Sequence, residues 1–265
     1  MQSGGKRGRY ENIVISNKNA KKNLLLFSTS QMFNSKYYLG YGLSSIKTFL
    51  SNKQITTVTC ITFPYTEDKE ERYAYNKLIK PAFKSIGFDT IQVSNSDTLS
   101  SKRKKLSEAQ SIYVCGGNTY NLIKVLQMDN LIKLLRDKIM SGTPYIGASA
   151  GTNIVCPTIK TSNDLPVVWP KSVKALNIIP FQINVHYDES YVCGGEPREN
   201  KIELFLSEYP KKKVLGLEDG TFIHVNGNYA ELAGLNTRQA ILMQIKNGKF
   251  QKEYINTSSD ISDLL

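Results

Sequence analysis

Residues 143–153 read Thr-Pro-Tyr-Ile-Gly-Ala-Ser-Ala-Gly-Thr-Asn, which sets Ser149 at the centre of a G-x-S-x-G pentapeptide. Tyr145 and Ile146 before it read as a short strand, and the residues after it are compatible with a helix. Between a strand and a helix this pattern presents a serine hydroxyl on a strained turn, where it can attack a carbonyl. Glycine at 147 and 151 leaves room for the returning chain. N–H groups and the dipole of the helix behind Ser149 would favour developing negative charge. The chemistry implied is nucleophilic acyl transfer.

Such a serine needs a base, and the chain contains two histidines, His186 and His224. His224 lies in Phe222-Ile223-His224-Val225, where alternation predicts a packed or surface position on a strand. His186 follows the apolar run 181–185 and opens the polar stretch Tyr187-Asp188-Glu189-Ser190. That places it just past the C-terminal end of a strand, where parallel α/β proteins build their sites, and His186 is the expected base. Two acids could orient it: Asp164 in Thr161-Ser162-Asn163-Asp164-Leu165-Pro166, and Asp219 in Gly216-Leu217-Glu218-Asp219-Gly220. Glu218 alternates away from Asp219 and reads as solvated. A second glycine pair, Cys115-Gly116-Gly117-Asn118-Thr119, joins another strand to another helix. The N–H of Gly117, with no side chain in the way, and that of Ala150 are the expected oxyanion hole. Cys115 reads as a buried apolar residue.

The elements that must position these groups alternate along the chain. Segments 24–27, 58–63, 90–93, 112–114, 145–146 and 214–217 are expected strands. Segments 39–50, 67–86, 118–126, 130–140 and 198–209 are expected helices. In the second helix Tyr75, Leu78, Ile79, Phe83 and Ile86 keep helical spacing, while Pro81 predicts a kink or division. This alternation predicts an α/β fold with a mainly parallel sheet and helices on both faces. After Gly220, segments 221–225, 228–232 and 240–245 are separated by Asn-Gly and Gly turns, predicting a small antiparallel meander or hairpin at an edge. Residues 1–22 read as a basic flexible tail and 23–265 as a single domain.

With 40% apolar and 22% charged residues, wholesale disorder and fibrous repeats are excluded. No window approaches the roughly 18 apolar residues of a membrane helix, and no apolar core of a secretory signal follows the basic N-terminus. Cysteines 60, 115, 156 and 193 form no CxxC pair, so no structural metal is expected, and a reduced, cytoplasmic location fits. The net charge of +11 attracts anions. Its clusters, Lys6-Arg7-Arg9, Lys18-Lys21-Lys22, Lys102-Arg103-Lys104-Lys105 and Lys211-Lys212-Lys213, are scattered and read as solvated loops and helix ends. No RNP, KH or zinc-finger signature is present, and neither a nucleic-acid nor a membrane partner is expected.

GGNT at 116–119, YIGASAGTNIVCPTIKTSNDLP at 145–166, QINVHY at 182–187 and GEPRE at 195–199 together resemble the peptidase E family of α-aspartyl dipeptidases, serine peptidases that also include the cyanophycinases. The resemblance runs from about residue 23 to about residue 250 and implies a class I glutamine amidotransferase-like fold. It implies Ser149 as nucleophile, His186 as general base, Gly117 and Ala150 as oxyanion hole, and a triad acid at Asp164 or Asp219. At the latter position the family generally has glutamate, so Asp219 is one methylene shorter. The implied reaction is hydrolysis of dipeptides with an N-terminal aspartate, without metal or organic cofactor. Arg198 stands at the position proposed to grip the acidic side chain. Glu196 and Asp164 would hold the substrate's amino group, and Asn118 joins the substrate-binding set. Thr152 stands where the family often has alanine. Amidotransferases of this fold use cysteine, so serine at 149 argues against glutamine amide transfer. The alternatives are a cyanophycinase-like β-aspartyl peptidase and a catalytically silent basic binding protein. The expected partner is a small acidic dipeptide, with a homodimer left open.

Overall fold

A computed structural model describes residues 22–33, 35–189, 192–193 and 196–265. The basic tail, apart from Lys22, lies outside the described residues. Short apolar segments form β1 (Asn23–Phe27), β2 (Thr57–Ile61), β3 (Asp89–Val93), β4 (Ile112–Val114) and β5 (Tyr145–Ala148). They pair in parallel in the order β1-β5-β4-β2-β3. Leu24 and Leu26 enter one core while Leu25 and Phe27 enter the other. A strand buried on both faces has no polar side to show, which is why these runs are continuously apolar.

On one face α1 (Leu43–Ser51) packs through Ile46, Phe49 and Leu50. It begins four residues later than the spacing predicts. Leu39 takes a left-handed φ of 55°, and Gly42 lies so close to Phe27 that a Cβ would sit 2.1 Å from its ring. The expected helix 67–86 is divided into α2 (Asp68–Tyr73), a π-helical segment Ala74–Ile79 and α3 (Lys80–Ser85). Pro81 has no N–H to give Lys77, and its ring would strike that carbonyl, so the helix widens just ahead of it.

The opposite face carries α4 (Leu99–Ser107), α5 (Thr119–Met128) and α6 (Ile132–Met140), packed through Leu106, Leu122, Leu126, Leu135 and Ile139. Of these α4 was unforeseen, and it corrects the reading of the Lys102–Lys105 cluster as wholly solvated. Lys102 is buried and pairs with Asp129 at 2.7 Å, while Lys105 pairs with Asp97 at 2.8 Å. After β5 come α7 (Ala150–Asn153), β6 (Gln182–Asn184), β7 (Val192–Cys193), β8 (Glu196–Pro197), α8 (Arg198–Glu208) and β9 (Lys213–Leu217).

The C-terminal part holds the expected antiparallel hairpin, while the third expected strand, 240–245, lies elsewhere. Strands β10 (Thr221–Asn226) and β11 (Tyr229–Gly234) form a hairpin that extends the first sheet beside β1, with β14 (Ser259–Asp260) outside it. The next strand, β12 (Gln239–Lys246), leaves that sheet and pairs with β9 and with β13 (Lys249–Asn256). The second sheet has the order β13-β12-β9-β6, with β6 and β9 parallel. Ala240 and Leu242 face the large shared core, whereas Ile241 and Met243 pack under α8 with Ile202 and Leu206. A strand apolar on both sides is stable only inside such a layer. No helix among the described residues is long and apolar enough to cross a membrane.

Candidate active site

Strand β5 lies between β1 and β4, and the chain turns sharply at its C-terminal end. Ser149 occupies φ 51°, ψ −108°, a conformation that costs a non-glycine residue about 1–3 kcal/mol. The surroundings enforce it: Ser149 N–H donates to Phe27 O at 3.1 Å, and Ser149 O accepts the N–H groups of Thr152 and Asn153, each at 2.9 Å. The Thr152 hydroxyl donates to Phe27 O at 2.7 Å. A Cβ on Gly151 would sit 2.2 Å from Val114 O, and one on Gly147 2.6 Å from Gly151 O. Both glycines of the pentapeptide are therefore demanded by close backbone approach. Helix α7 is only four residues long. The expected helix dipole is thus reduced to that of a single turn.

His186 lies just past β6, itself at a left-handed φ of 54°. Its Nε2 is 2.8 Å from Ser149 Oγ and its Nδ1 is 2.8 Å from Asp219 Oδ1. With Asp219 ionised, Nδ1–H donates to the carboxylate and the Nε2 lone pair faces the serine hydroxyl. Asp219 lies just past β9, the parallel neighbour of β6. Ser149 and the His186–Asp219 pair therefore come from different sheets. The histidine and aspartate side chains are 37% and 38% exposed, whereas Ser149 is 8% exposed. The imidazole and carboxylate thus border solvent while the hydroxyl is recessed beneath the turn.

Ser28, at the end of β1, escaped the sequence reading. It is fully buried, accepts His186 N–H at 2.9 Å, and sets its own hydroxyl 2.9 Å from Leu217 O and 3.1 Å from Asp219 Oδ1. The only signal for it was a polar residue directly after a buried run at the C-terminal edge of a strand.

The glycine pair packs against the serine, since a Cβ on Gly116 would be 3.3 Å from Ser149 Cβ. Gly117 has φ 132°, and a Cβ there would meet Pro64 Cβ at 2.7 Å. Neither Gly117 N–H nor Ala150 N–H donates to an acceptor among the described residues. Asp164 is placed away from the imidazole nitrogens' partners: its Oδ2 accepts Thr119 N–H at 2.7 Å, at the start of α5. Asn118 caps the same helix through Asn121 N–H at 3.0 Å and donates to Leu165 O at 2.8 Å. Together they staple the segment 162–165 to the glycine loop. Asn163 reaches the other way, to Asn184 Oδ1 at 3.1 Å and Val185 O at 3.3 Å. Arg198 opens α8 and donates from Nη1 to Val185 O at 3.5 Å, one residue from His186. The side chain of Glu196, like Gly195 before it, lies outside the described residues.

His224 is buried on β10 with its ring edge-on to Phe49 at 5.9 Å. Burial, with Lys53 nearby, pushes its pKa down to about 4. Burial pushes the Cys115 thiol up, with the negative charge of Glu71 adding to the effect, so it stays protonated. Among the described residues no group of three or more His, Cys, Asp or Glu is arranged to hold a metal ion.

A sequence model of the family described as Peptidase family S51 matches residues 24–233. Peptidase E of Nostoc sp. is 37% identical over 238 residues, covering 88% of this chain and 93% of its own. Peptidase E of Pasteurella multocida is 34% identical over 215 residues, covering 80% of this chain and 89% of its own. A 1.5 Å crystal structure of a protein assigned to peptidase E, from Listeria monocytogenes, aligns with a TM-score of 0.64 at 27% identity, covering 82% of this chain and all of that one. A peptidase from an acI-B1 actinobacterium shares the fold at TM-score 0.67 and 14% identity, over 91% of this chain and 96% of its own.

Proposed function

The chain belongs to peptidase family S51, and on that footing we propose that it is a serine exopeptidase releasing N-terminal aspartate from dipeptides through an acyl-enzyme. The observation that carries this reading is the unbroken relay Ser149 Oγ–His186 Nε2 and His186 Nδ1–Asp219 Oδ1, each at 2.8 Å. His186 Nε2 takes the hydroxyl proton as Ser149 Oγ attacks the aspartyl carbonyl. Gly117 and Ala150 N–H groups receive the oxyanion; removing one such donor costs about 2.7–4 kcal/mol in a comparable site. The tetrahedral intermediate collapses with the C–N bond breaking, and the imidazolium protonates the leaving amine. Water, deprotonated by the same nitrogen, then hydrolyses the ester. Asp219 holds the ring in the required tautomer and stabilises its charged form.

Selectivity for aspartate needs a cation opposite its side chain. Arg198 begins α8 beside the strand end that carries His186, and its fork suits a carboxylate. Asp164 commits one oxygen to Thr119 N–H, which leaves the other for the substrate ammonium. Replacing Ser149 with Ala is expected to leave the fold intact and remove nearly all hydrolysis of Asp-Leu in a steady-state assay. Wild-type turnover by that variant would disprove the serine mechanism.

A further inference from the structure

We infer that Ser28 is a positioning residue for this relay, one oxygen atom that holds both the backbone of His186 and the carboxylate of Asp219. The inference rests on the serine-peptidase reading above and adds a member that does not touch substrate, since Ser28 is fully buried.

Three distant strand ends meet at its hydroxyl. The β6–β9 ladder ends at Asn184 opposite Gly216, and the next backbone bond across the two strands is Tyr187 N–H to Leu217 O at 2.8 Å. The ladder therefore skips His186. Its N–H turns instead toward β1 and donates to Ser28 Oγ at 2.9 Å. That inward turn accompanies the left-handed φ of 54° and points the imidazole outward at Ser149. Ser28 itself is fixed by its N–H, which donates to Thr221 O at 3.0 Å, at the first residue of β10.

The hydroxyl has one proton and two acceptors, Leu217 O at 2.9 Å and Asp219 Oδ1 at 3.1 Å. Asp219 Oδ1 is the same oxygen that accepts His186 Nδ1–H. A carboxylate that is 38% exposed can rotate and exchange partners with solvent. A second, buried donor on the relay oxygen restricts that rotation. Removing the hydroxyl leaves His186 N–H without its acceptor and Oδ1 with one protein donor fewer, and both consequences fall on the imidazole's orientation rather than on substrate contacts.

The test compares wild type, Ser28→Ala and Ser28→Cys, the latter keeping the side-chain shape with a weak donor. Proton NMR follows the downfield His186 Nδ1–H resonance, and steady-state kinetics on Asp-Leu gives kcat and KM separately. In both variants the resonance should shift or broaden through faster exchange, and kcat should fall tenfold or more with KM within twofold. A folded variant of either kind with an unchanged resonance and wild-type kcat would overturn the proposal. So would a lowered melting temperature as the sole effect, which is what a merely structural role produces. Should wild type fail to cleave Asp-Leu at all, the substrate reading fails while the resonance still decides the role of Ser28.

Discussion

Replacing Asp219 and Asp164 separately by asparagine distinguishes orientation of the base from recognition of the substrate. In Asp219→Asn the shape is kept, but the amide can donate to Nδ1 and drive the proton onto Nε2, the tautomer that cannot accept from Ser149. In an enclosed site such a change costs about 10⁴ in turnover. Here both partners are more than one-third exposed, so water recovers part of the loss, and we expect kcat to fall about 10³-fold, or about 4 kcal/mol of barrier. Asp164→Asn leaves an oxygen to accept Thr119 N–H and does not alter the relay contacts. Its kcat should stay within about threefold, while loss of a charge-assisted bond to the substrate ammonium raises KM about tenfold or more. Leucine release from Asp-Leu, with thermal melts of both variants, measures the split. Equal losses of kcat in the two variants, or Asp219→Asn within tenfold of wild type, would refute the assignment of Asp219 as the orienting acid.

Gly151→Ala drives a Cβ to 2.2 Å from Val114 O, a backbone atom of β4 that cannot rotate away. We expect at least about 3 kcal/mol of destabilisation and a Tm lower by about 6–12 °C, read by calorimetry; an unchanged Tm would contradict the packing. His224 binds its proton with a pKa of about 4 in the fold against about 6.5 unfolded. Its depressed value means that stability is fully present above pH 6.5 and is lost as pH falls toward 4, amounting to about 2 kcal/mol by pH 5. Urea titrations should therefore show wild type losing more stability from pH 7 to pH 5 than His224→Gln; parallel losses would rule the histidine out. Arg198→Lys keeps the charge but not the fork, so KM for Asp-Leu should rise about tenfold at nearly constant kcat. Activity should persist in excess EDTA, and its loss there would count against the metal-free scheme.

The parallel strands were legible because burial on both faces leaves an unbroken apolar run, as in Leu24-Leu25-Leu26-Phe27. Helix α4 was not, because Leu99 and Leu106 alone mark its apolar stripe and the remaining contacts are made by charged side chains. Lys102 packs its ammonium over the Phe63 ring at 5.1 Å and pairs with Asp129, contacts that a hydrophobic period cannot register. Likewise the apolar run in 240–245 identifies a strand, but whether it joins β11 or β9 depends on partners far away in the chain.

The candidate site divides along the same line. The strained turn at Ser149 was legible because it is built from contiguous residues, and His186 stood out as the proposed base because only two histidines compete. The placement of Asp219, rather than Asp164, beside the imidazole depends on neither. It follows from the register that sets Asn184 opposite Gly216 in the parallel pair β6–β9: two residues beyond one and three beyond the other, His186 and Asp219 emerge side by side. That pairing spans about thirty residues and leaves no trace in either segment, and Ser28 is recruited to it from a third strand still farther off. A chain retaining every residue of the pentapeptide but sliding β6 by one position would turn the imidazole to the opposite face. The local motif presents a hydroxyl; the sheet register supplies the relay proposed to activate it.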